Sequence, residues 1–120
     1  MDFAAARFFS EVNEITGVSE GDRVATPVGD VPAEGFALGE TVIVCVRPQA
    51  LRLGRPDDAG VSGRVLGRQF VGEMDVIEVA VAGIDRPLLA RIPAGQAGPG
   101  EDVRVSLDTE HVMVFARPHP

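Results

Sequence analysis

The chain has 120 residues, about the size of one domain, and 45% of them are hydrophobic, which suits a folded globule and not a disordered tail. Eighteen acidic residues against eleven arginines, with no lysine, give a net charge of −7, which argues against generic binding to nucleic acid or to anionic membranes. No apolar run approaches the ~20 residues that span a bilayer, and the single Cys45 has no partner for an intrachain disulfide, as is typical of a reducing compartment.

The first residues predict a short amphipathic helix. Phe3 and Phe9 recur at helical spacing within residues 1–12, and Phe8 widens the apolar stripe. An exposed helix with three phenylalanines needs a surface to cover it. We therefore expect this helical arm to favour a homodimer, with Phe8 and Phe9 as candidate interface residues.

From residue 13 onward the pattern changes to period two and to turns. The stretch 29–39 is rich in Pro, Gly and acidic residues, so it is predicted to be a loop. Regular βαβ alternation is absent, and seven or eight short strands indicate an all-β barrel or sandwich. The segments with strand patterning are residues 13–18, 23–28, 41–46, 61–71, 74–82, 88–92, 103–107 and 111–115.

The motifs of common catalytic and metal sites are missing from this sequence. A P-loop, GxxxxGK[ST], needs a lysine, and neither GxSxG nor HExxH occurs. One cysteine and two histidines are too few for a structural zinc site. We therefore predict no catalytic, cofactor-binding or metal-binding residues.

Three weaker candidates have simpler structural explanations. His111 follows two acids, and a strand-edge histidine beside solvated carboxylates explains that pattern well. Asp57 and Asp58 could be a carboxylate pair for acid–base chemistry, but they lie between a proline and a glycine, where a solvated turn is the favoured explanation. Cys45 could be a reactive thiol, but a cysteine in a Val/Ile run more often packs as a small hydrophobe.

The stretch VCVRPQALRL, residues 44–53, ends an apolar strand at an Arg-Pro pair. Pro48 has no N–H for a sheet ladder and holds Arg47 in extended geometry, so the strand turns there. Leu51 and Leu53 then share one face of a second short strand. This geometry makes Arg47 and Pro48 architectural residues, not catalytic ones.

The same stretch resembles the "vRPE-x-l-x-l" corner of the TOBE module, the C-terminal regulatory region of ABC-importer ATPase subunits. Gly72 and Phe115 end two further family-like motifs, whereas Gln49 and Ser10 stand where the family usually has Glu and Gly. Segments that resemble the other motifs keep the family's order along nearly the whole chain, at residues 6–13, 24–29, 63–72, 100–103 and 111–115.

The resemblance implies an OB-like regulatory and dimerisation domain at residues 13–117. Residues 1–12 would remain from the link to an upstream ATPase domain, and residues 118–120 would form a tail. This fragment would need no cofactor, whereas the parent protein would use ATP and magnesium. The resemblance also implies a cytoplasmic protein that contacts the membrane only through permease subunits. Residues 24–29, 51–53 and 61–72 most resemble the ferric-iron branch, ahead of polyamine and sulfate importers.

Two functions of other classes remain open. Related OB modules bind oxyanions, and such a sensor would need convergent arginines, for which Arg47, Arg64 and Arg68 are the candidates, although scattered solvated arginines explain them as well. A nucleic-acid-binding OB fold would need stacking aromatics and a basic groove. This acidic chain without Tyr or Trp fits that last function worst.

Overall fold

The computed structural model describes residues 12–98 and 100–116, which form ten strands in two five-stranded sheets. The predicted N-terminal helix, with Phe8 and Phe9, lies outside the described residues. The all-β prediction is confirmed, with more strands than expected. They are β1 (Asn13–Ser19), β2 (Arg23–Thr26), β3 (Gly29–Pro32), β4 (Thr41–Val46), β5 (Leu51–Gly54), β6 (Val61–Val71), β7 (Met74–Val81), β8 (Leu88–Pro93), β9 (Asp102–Leu107) and β10 (Val112–Ala116).

Each sheet is entirely antiparallel. Sheet A has the strand order β10-β4-β1-β2-β3, and sheet B has the order β5-β9-β6-β7-β8. The edge strands β5 and β8 of sheet B contact each other, so this sheet curls towards a barrel. One core joins the inward faces of both sheets, and valine dominates it because β-branched side chains pack well on a pleated surface.

The Arg-Pro corner carries the chain from sheet A to sheet B. Arg47 is extended, with φ −69° and ψ 150°, as expected for a residue before proline. A single 3₁₀ turn, Pro48–Ala50, follows and leads directly into β5. Pro48 is buried in this turn, so the corner is part of the core and not of an open site.

The prediction of a loop at residues 29–39 is wrong for the first four positions, which form strand β3. Gly29–Pro32 pairs with β2, and Val31 joins the core. Gly29 has φ +116°, which lets the chain reverse tightly after β2. One apolar side chain between a glycine and a proline is too little to show a period of two, so the pattern could not predict this strand.

A β-bulge interrupts β6, where the glycine-rich pattern suggests a bend. The pairing of β6 with β7 shifts register between Val65 and Gly67, and Leu66 is the extra, exposed residue. Because a bulge adds one residue to one strand, it changes which face the later side chains occupy. The bulge therefore decides where the β6 arginines point.

Candidate functional site

The three arginines considered as oxyanion ligands lie in separate places. Arg64 is exposed between the buried residues Gly63 and Val65, so it points away from the core. Beyond the bulge, Arg68 pairs with the buried Ile77 and lies on the opposite face of sheet B. Arg47 is at the corner after sheet A, where it lines a different groove. The groove that Arg47 lines does not include Arg64 or Arg68.

Arg68 is engaged by a buried carboxylate. Asp75 is 2% exposed and accepts a hydrogen bond from the Gly95 N–H at 3.0 Å. The Nε of Arg68 lies 3.9 Å from the same carboxylate oxygen of Asp75. A buried charge is costly without a partner, so the guanidinium of Arg68 compensates Asp75 and is less available to an external anion.

Replacing Arg68 should therefore affect stability more than replacing Arg64. We expect Arg68→Ala to lower the free energy of unfolding by about 1–2 kcal/mol, because it leaves the Asp75 carboxylate with less compensation. Arg64→Ala, on an exposed position of the same strand, should change it by less than about 0.5 kcal/mol. Urea unfolding followed by circular dichroism measures both, and equal effects would contradict this assignment of Arg68.

Asn13 joins the two sheets through the backbone of β8. Its Nδ2 donates to the Leu89 carbonyl oxygen at 2.8 Å, and its Oδ1 accepts from the Leu89 N–H at 2.7 Å. The side chain is almost fully buried. Its amide forms the two hydrogen bonds that a neighbouring strand would otherwise offer to the N–H and C=O of Leu89 at this edge of sheet B. The role of Asn13, which occurs in a family-like motif, is therefore structural.

A groove of about 470 Å³ lies beside this contact, between the outer face of sheet A and the turn that joins β7 to β8. Its walls mix acidic, basic and apolar groups and include Glu14, Thr16, Ile43, Asp85 and Arg86. Among the described residues, no group of three His, Cys, Asp or Glu side chains is arranged to hold a metal ion. The described residues also include no helix that is long and apolar enough to cross a membrane.

Cys45 lies on the outer face of β4 and is half-buried. Its neighbours across the sheet are Glu14 on β1 and Met113 on β10. Burial raises the pKa of the Cys45 thiol, and the negative charge of Glu14 raises the pKa further. A raised pKa leaves less thiolate at neutral pH, so the arrangement is the opposite of an activated cysteine.

The thiol should accordingly react slowly with disulfide reagents. We expect Cys45 in the folded chain to react with Ellman's reagent more slowly than free cysteine at neutral pH, and faster as the pH rises. Glu14→Gln should increase the rate by removing the second cause of the raised pKa, whereas Glu78→Gln, on sheet B, should not. A folded protein that reacts as fast as free cysteine would contradict this account.

Exposed apolar side chains are concentrated on β10 and around the β6–β7 hairpin. Met113 and Phe115 are 48% and 52% exposed on β10, and Phe70 is 68% exposed near the hairpin. Phe115 was identified from the sequence as a motif residue, but the exposure of β10 was not. The sequence does show that β10 is an uninterrupted apolar run, VMVFA. A single sequence does not show that this run lies at the edge of a sheet, and its exposure follows from that position.

Comparison with known proteins agrees with this fold. The family described as the TOBE domain matches residues 44–115, more than half of the chain. A crystal structure of the cytoplasmic molybdate-binding protein ModG with molybdate bound is similar, with a TM-score of 0.71, 12% identity, and coverage of 88% of this chain and 96% of that chain. At this identity the likeness concerns the fold. No curated protein is detectably similar in sequence.

Proposed function

Because this chain belongs to the TOBE domain family, we propose that it is a non-catalytic regulatory and dimerisation domain of the ATP-binding subunit of an ABC importer. The proposal rests above all on the apolar strand β10, whose exposed Met113 and Phe115 are suited to a protein neighbour and not to a small molecule. The order of the family-like segments, from residue 6 to residue 115, supports the importer context.

In this proposal the chemistry belongs to the parent protein. An upstream domain would bind ATP and magnesium, and two copies would drive a permease from the cytoplasmic side of the membrane. The present domain would hold the two subunits together or adjust their activity. Ferric iron is the proposed cargo, with polyamine or sulfate as alternatives, and no residue of this domain need touch it.

Uptake by cells tests the importer context. The gene is disrupted and then restored, and labelled ferric iron, spermidine and sulfate are followed into the cells. Loss of iron import alone, recovered on restoration, is the expected result. Lost polyamine import with normal iron import would change the cargo, and normal uptake of all three would contradict the importer proposal.

A second candidate function is the sensing of a small oxyanion. The observation that favours it is the fold that this chain shares with a molybdate-binding protein. Since Arg47, Arg64 and Arg68 are dispersed in one chain, an anion site built on these arginines would need groups from a second copy. Calorimetric titration with molybdate and with sulfate tests this candidate, and absence of heat with a dimeric sample would remove it.

A further inference from the structure

We propose that the outward face of sheet B, where β5, β9 and β6 lie side by side, binds an extended acidic segment of a partner protein. Each of these strands contributes one arginine to the surface: Arg52, Arg104 and Arg64. They are called the arginine row below. The inference goes beyond the proposed function, because the row belongs to sheet B and β10 belongs to sheet A.

The pairing of the strands places the three arginines on one diagonal line. Arg104 of β9 lies opposite Ser62 of β6 and Gly54 of β5, and its neighbours on both sides in β9 are buried, so it points outward. Arg64 comes two residues after Ser62, and Arg52 comes two residues before Gly54. Each is therefore a diagonal neighbour of Arg104, at a backbone separation of about 7–8 Å.

Arg104 is held in place by neutral groups. Its Nε donates to the Pro56 carbonyl oxygen at 2.7 Å, and its Nη1 donates to the Ser62 hydroxyl. No ion pair among the described residues includes Arg104. The guanidinium is thus oriented without a counter-ion, and its remaining N–H donors can bind an external carboxylate.

The other two arginines can also accept an external partner. Arg64 is exposed and makes no ion pair with a described residue. Arg52 is 69% exposed, and its Nη2 lies 3.4 Å from a carboxylate oxygen of Asp108. Exposed pairs of this kind contribute little free energy, so Arg52 can exchange one carboxylate for another. The row is therefore a positive strip on a chain whose net charge is −7.

The spacing of the row matches an extended peptide. Side chains on one face of a β-strand repeat every ~6.8 Å, twice the rise per residue, so carboxylates at alternate positions reach successive arginines. A small anion bound at Arg104 would leave the two ends of the row, ~15 Å apart at the backbone, without partners. The outward side chains of these strands include no aromatic ring on which a nucleic-acid base could stack.

Two synthetic peptides test the spacing. One alternates four glutamates with four threonines, and the other joins a block of four glutamates to a block of four threonines. In low salt the full chain should bind the alternating peptide at least about threefold more tightly, because only this peptide places all its carboxylates on one face of an extended strand. Fluorescence anisotropy of the labelled peptides measures both dissociation constants.

Substitutions identify the side chains that bind the alternating peptide. Arg104→Gln should raise its dissociation constant about tenfold by removing charge-assisted hydrogen bonds, and Arg64→Gln, at an exposed position, about threefold. Asp102→Asn should lower the dissociation constant about twofold, because Asp102 lies opposite Arg64 and repels an incoming carboxylate. The matched control is Arg23→Gln, which removes the same charge from sheet A and should change the constant less than about twofold.

Several outcomes would overturn this inference without affecting the proposed function, since none of these measurements reports oligomeric state. They are absence of binding, equal binding of the two peptides, and equal losses for Arg23→Gln and Arg64→Gln. An oligothymidylate of eight nucleotides is the last probe and should bind more weakly than the alternating peptide. Tighter binding of the oligothymidylate would overturn the inference in favour of a single-stranded nucleic acid.

Discussion

Asn13→Ala is expected to lower the free energy of unfolding by about 2–4 kcal/mol, one of the largest effects of any single change. The asparagine is 2% exposed, and its amide makes both hydrogen bonds to the Leu89 backbone. Alanine leaves a backbone donor and a backbone acceptor without partners at the place where the two sheets meet. Urea unfolding followed by circular dichroism gives the difference directly.

Asn13→Asp provides the matched control for this prediction. A carboxylate still accepts from the Leu89 N–H, but it cannot donate to the Leu89 carbonyl oxygen. A buried carboxylate oxygen would also face the Leu89 carbonyl oxygen with no cation beside it, so we expect a loss at neutral pH that is at least as large as that of alanine. If alanine and aspartate both changed stability by less than about 0.5 kcal/mol, the contact between the sheets would not have the importance assigned to it.

Gly60→Ala is expected to lower the free energy of unfolding by about 2–4 kcal/mol, for a different reason. Gly60 has φ +125°, which side-chain-bearing residues rarely adopt, and it immediately precedes β6. A Cβ at this position would lie 2.7 Å from the backbone carbonyl oxygen of Val105 on β9. Strain and overlap with a fixed backbone atom therefore act together.

Gly67→Ala is the control for this change. Gly67 lies in β6 with no positive φ, and the nearest atom to an added Cβ is a carboxylate oxygen of Glu78 at 3.9 Å. The substitution should be neutral or slightly stabilising, since it reduces the freedom of the unfolded chain. Thermal unfolding of both variants measures the contrast, and equal melting temperatures would show that the Gly60 turn tolerates a side chain.

The sequence predicts those strands whose burial pattern is regular. β9 is the clearest case, because Val103 and Val105 are buried and alternate with more exposed residues. β3 has no comparable pattern and becomes a strand only because β2 lies beside it. Local patterning therefore predicts the class of the fold better than the number of its strands.

The candidate site depends more strongly on long-range geometry. Asn13 and Leu89 are 76 positions apart, so no local pattern shows that the Asn13 amide bonds the Leu89 backbone at the edge of sheet B. Because of the bulge after Val65, Arg64 and Arg68 lie on opposite faces of sheet B. Their spacing of four residues predicts the same face for both in a regular strand. The status of β10 as an edge likewise follows from the strand order of sheet A, which a single sequence does not contain.

The mass of the wild-type chain in solution tests the central claim most directly. We expect light scattering to give a species of twice the 12.6 kDa chain mass, which Phe115→Glu reduces to a single chain mass and Phe70→Glu does not. A wild-type sample that remains at 12.6 kDa as the concentration is raised would contradict it.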